Sequence, residues 1–264
     1  MRVFKKKTVL AIVPVIIAGL ICWSGGVASS AESVSFASLP FQPGERLVYN
    51  LRWGIIPAGY AELQVLPFAT VNGEEAWHFI MSVQTTEFVD LFYKVRDRIE
   101  TFTDLSMTNS LLYKKEQREG STDRDVVIRF DWDSNSAVYS NKGEVREPIA
   151  IETGTLDPLA SLYYIRTQSL ADKLEVVKPV TDGKKVVRGV ARIIGRETLN
   201  IDGTEYNTFM IEPDLKDVRG VFEKSDESKL RLWITDDDRR LLVKVKSKVV
   251  VGSFTGTLVE ATLP

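Results

Sequence analysis

The sequence predicts a mainly β protein: a single antiparallel β-barrel or strongly curved half-barrel with one packed helix. Three observations lead there. Apolar and polar residues alternate along a succession of short runs, the period of two that puts one strand face on a core. Turn-forming residues separate these runs at nearly regular spacing, as in meanders, sandwiches and open barrels. One segment, TLDPLASLYYIRTQSL, breaks the alternation and carries the start signals of a helix.

The chain opens with Arg2, Lys5, Lys6 and Lys7, an apolar run from Thr8 to Trp23, and small residues ending at Ala28-Ser29-Ser30-Ala31. That order of basic, apolar and small residues is the order of a cleavable export signal. Cleavage is expected after Ala31, which leaves no stable membrane span and places the protein in a periplasm. Two alternatives stand beside this. The apolar run approaches the roughly 20 residues that span a bilayer, so an uncleaved N-terminal anchor is one. Acylation of Cys22, the sole cysteine, is the other, although bulky Ile21 stands where a lipoprotein signal has a small residue.

The domain plan is therefore a signal over residues 1–31, a flexible leader over 32–40 and one antiparallel β domain over 41–264. Four of the 34 basic side chains fall in the signal, leaving 30 against 36 acidic ones. An acidic balance disfavours nucleic acid as a partner. With no cysteine and only His78, the exported part excludes disulfides, thiolate nucleophiles and multi-histidine zinc sites, and no cofactor is expected.

In the first run, Leu47, Tyr49, Leu51 and Trp53 alternate with Arg46, Val48, Asn50 and Arg52. After Pro57 and Gly59, the residues Ala61, Leu63 and Val65 continue a second strand. Asn72-Gly73 then signals a hairpin into a third, with Trp77, Phe79, Met81 and Val83 on one face. Further strands are expected at Val95–Thr103, Ser110–Arg118, Val126–Trp132 and Ala137–Ser140, and later at Lys185–Ile194, Tyr206–Glu212, Leu230–Thr235, Leu241–Val251 and Ser253–Leu263. Phe88, Leu91 and Phe92 have helical spacing. The main helix begins at Asp157, a natural N-cap followed by Pro158, and runs toward Leu170 with Leu159, Leu162, Tyr163 and Arg166 at helical intervals. The polar stretch between Pro213 and Lys229 is long for a connection.

No residue presents itself as catalytic, and no metal site is visible. His78 lies on the opposite strand face from Trp77 and Phe79 and lacks the partners of a hydrolase triad. Asp236, Asp237 and Asp238 read as a solvated hairpin turn rather than a calcium loop. Asp157 and Arg166 read as structural, a helix cap and a tie from the helix to a strand carboxylate. The candidate ligand-binding residues are aromatic: Trp53, Trp77, Trp132, Tyr163, Tyr164 and Trp233, which a strongly curved sheet would gather around an apolar cavity.

The stretch FQPGERLVYNLRWGIIPAGYAELQV, with LDPLASLYYIR and LRLWITDDDRRLLVKVKSKVVVGSFTGTLV in the same order, resembles the bacterial family called domain of unknown function 3108. The resemblance spans Phe41 to Leu263. It implies an exported β-rich protein of Gram-negative bacteria and supplies no catalytic residues. The expected function is non-catalytic binding of a lipid-like apolar ligand or of another envelope component. Alternatives are a structural or assembly module with a filled core, and a carboxylate-dependent enzyme acting on glycans.

Overall fold

The computed structural model describes residues 39–214, 229–248 and 253–264. The first half of the chain gives β1 (Arg46–Trp53), β2 (Ile56–Val71), β3 (Glu74–Thr85), the short helix α1 (Glu87–Asp90), β4 (Arg96–Thr103), β5 (Ser110–Glu119), β6 (Thr122–Asp131), β7 (Ser136–Asn141), β8 (Glu144–Val145) and β9 (Ile149–Ala150). There follow α2 (Pro158–Arg166), β10 (Glu175–Thr181), β11 (Val186–Ile201), β12 (Thr204–Pro213), β13 (Lys229–Thr235), β14 (Leu242–Lys248) and β15 (Ser253–Thr262). The stretch expected to be a long loop after Pro213 lies largely outside the described residues.

All strands belong to one antiparallel sheet in the order β10-β11-β12-β13-β14-β15-β1-β2-β3-β4-β5-β6-β7-β8, with β9 also on β7. Almost every ladder joins strands that are neighbours in sequence. Asn72-Gly73 and Asp202-Gly203 hold both central residues at positive φ, the twist-matched turn that Asn-Gly and Asp-Gly favour. Besides β9 on β7, the exception is β1, which pairs with both β2 and β15, so the first and last strands meet in the middle of the sheet.

The sheet curls without closing. The strap that leads into α2 instead ties the β10 edge to β5. The Ser110 amide of β5 donates to the Thr155 carbonyl at 3.1 Å, while Leu156 exchanges bonds with Pro179 and Thr181 of β10, both at 2.9 Å. The β10–β11 turn then packs on β6 and β7. A Cβ at Gly183, whose φ is +82°, would stand 2.9 Å from Ile128 Cγ1, so only glycine allows this approach.

Inside the curl lies α2. The sequence predicts one buried face, yet every residue of the helix except Tyr164 is buried. A helix with sheet around it must be apolar on nearly all sides. It is also shorter than expected, ending at Arg166 with Thr167 as its cap. Its N-terminus is held by buried Asp157. Oδ1 accepts from the amides of Leu159 (2.9 Å) and Ala160 (3.0 Å), and Oδ2 accepts from the hydroxyls of Ser110 (2.6 Å) and Thr101. Burial nonetheless pushes the Asp157 carboxyl above its ordinary range.

At the other end Arg166 is fully enclosed. Its guanidinium forms a two-pronged bond with Glu45, at 2.6 and 2.8 Å, and donates to the carbonyls of Pro40, Arg239 and Arg240 at 3.3, 3.2 and 2.9 Å. The ring faces of Phe41 and Tyr163 lie 5.2 and 5.4 Å from it. Packing therefore starts as early as Leu39, which is buried, and Pro40, ahead of the boundary at Phe41.

Removing one member of such a pair leaves the other charge buried. Arg166→Ala and Glu45→Ala are each expected to cost about 3–5 kcal/mol in urea denaturation, with a favourable coupling in the double variant. Costs below about 1 kcal/mol for both would show the pair is not enclosed. Asp157→Ala strands two amides and two hydroxyls and should cost about 2–4 kcal/mol, more than a simple cap, while Asp157→Asn should lose less than half of that.

Candidate functional site

Between α2 and the sheet lies an apolar cavity of about 70 Å³, partly open to solvent. The helix contributes Pro158, Leu162 and Ile165 to its wall. The sheet contributes Leu51 of β1, Ala61 and Leu63 of β2, and Met81 and Val83 of β3 on one side, with residues of β12 to β15 on the other. The gap exists because small residues, Ala61 and Gly256, fall at positions that face inward. The single hydroxyl on the wall belongs to Tyr49, and it donates to the Leu242 carbonyl at 2.7 Å. Burial holds the Tyr49 phenol well above its ordinary range, so it stays neutral. The wall thus offers an incoming molecule dispersion contacts and no charge.

None of the six aromatic candidates stands on that wall, and they are not gathered at one place. Trp77 and Tyr163 fill the opposite half of the interior with Phe41 and Phe79. Phe79 stacks on Tyr163 at 3.9 Å, Phe41 meets both Trp77 and Tyr163 edge-on at 5.3 Å, and Trp77 Nε1 donates to the Leu105 carbonyl at 3.1 Å. Trp53 stacks on Phe254 at the rim of the sheet. Trp132 donates to the Ser110 carbonyl at 2.9 Å, beyond the end of β6. Trp233 alternates with Leu230 and Leu232, which face the cavity, and so points outward, with Glu197 accepting from its Nε1 at 2.7 Å and Lys244 over its ring. Tyr164 borders a second space of about 20 Å³ beside Lys178, large enough for a water.

His78 stands on the convex face, stacked on Phe102 at 4.3 Å, with Nε2 3.7 Å from Glu100 Oε2. Burial lowers its pKa despite that carboxylate, so the ring is neutral near neutral pH. Asp236 and Asp237 form the β13–β14 turn with Arg240, Arg239 and Thr235. Among the described residues no group of three acidic or histidine side chains is gathered around a metal-sized space.

One cluster escaped the sequence reading. Asp97 of β4 and Glu119 of β5 are both buried, and their carboxyls face each other. Asp97 Oδ1 accepts from the Arg118 amide at 2.8 Å, and Gln117 donates to Glu119 at 2.5 Å. Asp97 Oδ2 is buried and accepts from no donor among the described residues. Burial first, and then Asp97, push the Glu119 carboxyl up to about 8. Lys115 beside them is lowered by burial, and Tyr93 is raised to about 12 by burial and the two carboxyls. The signal was present in the sequence as parity: Asp97 shares the inward register of Ile99 and Thr101, and Glu119 that of Tyr113 and Lys115.

The fold is found again in a β-barrel-like protein of the domain-of-unknown-function family DUF1849 from Brucella abortus, with a TM-score of 0.58 at 11% identity, covering 85% of this chain and 99% of that one. Looser likenesses reach a protein from Bacteroides fragilis called exported and YmcC-like in fold (TM-score 0.32, 9% identity, 85% and 98% covered) and one from Parabacteroides distasonis called a lipoprotein (0.34, 11%, 85% and 99%). No curated protein matches the sequence. The family described as "protein of unknown function (DUF3108)" matches residues 48–259, and the chain belongs to that family.

Proposed function

We propose that this chain is an exported envelope protein that binds an apolar, lipid-like ligand in the cavity between α2 and the sheet, without catalysis. Export rests on the basic, apolar and small-residue order before Ala31. The ligand reading rests on one observation, a partly open cavity whose wall is apolar and whose one hydroxyl is already bonded to the protein. At about 70 Å³ it is smaller than the ~150 Å³ that encloses a benzene ring. It therefore takes the end of an aliphatic chain, and the remainder leaves through the open side.

The small volume also favours a second reading, an assembly module whose interior is essentially filled. The cavity wall separates the two. Leu162→Phe should fill the space and reduce retention of a saturated fatty acid, measured by native mass spectrometry, while leaving melting nearly unchanged. Leu162→Ala should enlarge the space and increase retention. Because Leu162 already borders a void, its truncation should fall at the low end of the usual ~2–5 kcal/mol, and Leu159→Ala, fully enclosed, at the high end. Fatty acid absent from all three proteins, and from the parent isolated from its own envelope, would leave the filled module standing.

A glycan-acting enzyme gains little from Asp97 and Glu119. Glycosidase carboxyls stand about 5–9 Å apart in a cleft open to the bond they cleave, whereas these two are both buried. The pair is better read as a titrating element of the fold. Glu119 is raised from 4.5 to about 8, so on this account the fold gains from the neutral form below about 4.5 and loses that gain as pH rises through about 8. Glu119→Gln, which cannot ionise, should flatten the decline in melting temperature across that window and be relatively more stable at its alkaline end. A wild-type and a variant profile that run parallel would rule out the raised Glu119 carboxyl.

A further inference from the structure

At one rim of the sheet, large apolar side chains stand in solvent on two neighbouring projections. The β1–β2 turn carries Ile55, 85% exposed, and Ile56; α1 and the turn after it carry Phe88, Leu91 and Phe92, at 60%, 79% and 74%. The projections are adjacent because Gly59 pairs with Thr85 and the Thr86 amide donates to the Ala58 carbonyl at 3.0 Å. Single exposed apolar residues are ordinary, but five on two touching loops are not. Among the described residues α1 is held without them, since it has its own cap in Thr86 and Asp90 is tied to Arg96 at 2.6 Å.

The same rim is where the cavity lies. Leu51 and Val83 on its wall are two residues from the ends of β1 and β3. Val245 and Gly256 are three from the ends of β14 and β15, and Pro213 is itself the end of β12. Trp53, on the inward face two residues past Leu51, stands half-buried between the cavity and the exposed Ile55. Apolar surface thus runs from the tips of the projections toward the interior. Exposed Arg52, which holds the turn by donating to the Ile55 carbonyl at 2.6 Å, and exposed Lys94 flank the tips, against one exposed acid, Glu87.

We propose that this rim docks on a lipid bilayer with anionic headgroups, burying Ile55, Phe88, Leu91 and Phe92 at the level of the acyl chains. Arg52 and Lys94 then lie among the headgroups. The tips are convex and offer few hydrogen-bonding groups, unlike a protein interface, which carries about one hydrogen bond per 100–200 Å². Apolar side chains with basic neighbours and an aromatic residue behind them are the pattern of an interfacial anchor. The docked orientation faces the cavity to the source of its chain. In that respect alone the proposal leans on the ligand reading, and the docking itself stands without it.

The test uses vesicles of phosphatidylethanolamine and phosphatidylglycerol carrying bromines on the acyl chains, with the full chain bearing either Leu91→Trp or, at the opposite rim, Leu263→Trp. Any attachment by the Thr8–Trp23 segment is common to both. After subtraction of the parent signal, the Leu91→Trp fluorescence should be quenched at least about twofold more than that of Leu263→Trp, and adding Phe88→Ser and Phe92→Ser should abolish the difference. All of these positions are exposed, so the melting temperatures should match. Equal quenching at the two positions, or none at either, overturns the proposal. So does a dimer in sedimentation that Leu91→Glu dissociates without any lipid quenching, which would assign the rim to a second copy. Fatty acid retention in solution is independent of these substitutions, so failure of the docking and failure of the ligand reading are told apart.

Discussion

The enclosed guanidinium of Arg166 is the contact on which the architecture depends. It joins the C-terminal end of α2 to Glu45 just ahead of β1, to the Pro40 carbonyl, and to the β13–β14 turn through Arg239 and Arg240. An ion pair in this setting gives little net stability over apolar packing, because both charges are taken out of water. What it gives is position, since each donor has its own acceptor and the helix can take up only one depth and rotation. Asp157 does the same at the N-terminal end, and the two charges have the signs that complement the helix dipole. Between these fixed ends the helix need not be packed tightly everywhere, and the cavity beside Leu162 is where it is not.

The strands were legible because the sheet has one dry face and one wetter one, and alternation reports that directly. Runs such as Leu47 to Trp53 and Trp77 to Val83 lie within three residues of the observed strand ends. β10 was missed because EVVKPVT has a proline and no clean alternation, which an edge strand tolerates. The helix start was written in Asp157-Pro158, but its complete burial was not, because periodicity describes one face and this helix has sheet on almost every side. The partner of Arg166 is Glu45, just ahead of β1, and it depends on the fold bringing residues 121 apart together.

The aromatic residues show why the candidate site was less legible. Large side chains fill volume, so they mark where an interior is solid, as Trp77, Phe79, Phe41 and Tyr163 do. A cavity is made by what is missing, and its sequence signal is the small residue at inward parity, Ala61 or Gly256. Trp233 adds a different lesson: it is buried off the cavity wall, with Lys244 over its ring and Glu197 accepting from its Nε1. The acidic pair was likewise visible as charge in an inward register, a signal that alternation of apolar residues alone passes over.

The place of β1 between β15 and β2 governs how the chain can assemble. Hairpins along β2 to β7 form from neighbours in sequence, but the β1–β15 ladder joins Arg46 to Thr262, so its loop entropy must be met before any of its bonds are gained. The chain therefore has high contact order, and its sheet stays incomplete until its last strand is available. A nascent or threading polypeptide of this kind exposes an unpaired β1 edge for the whole of its synthesis. Until β15 arrives that edge has unpaired amides and carbonyls open to any other strand, so the last strand both completes the sheet and removes its main site for mispairing.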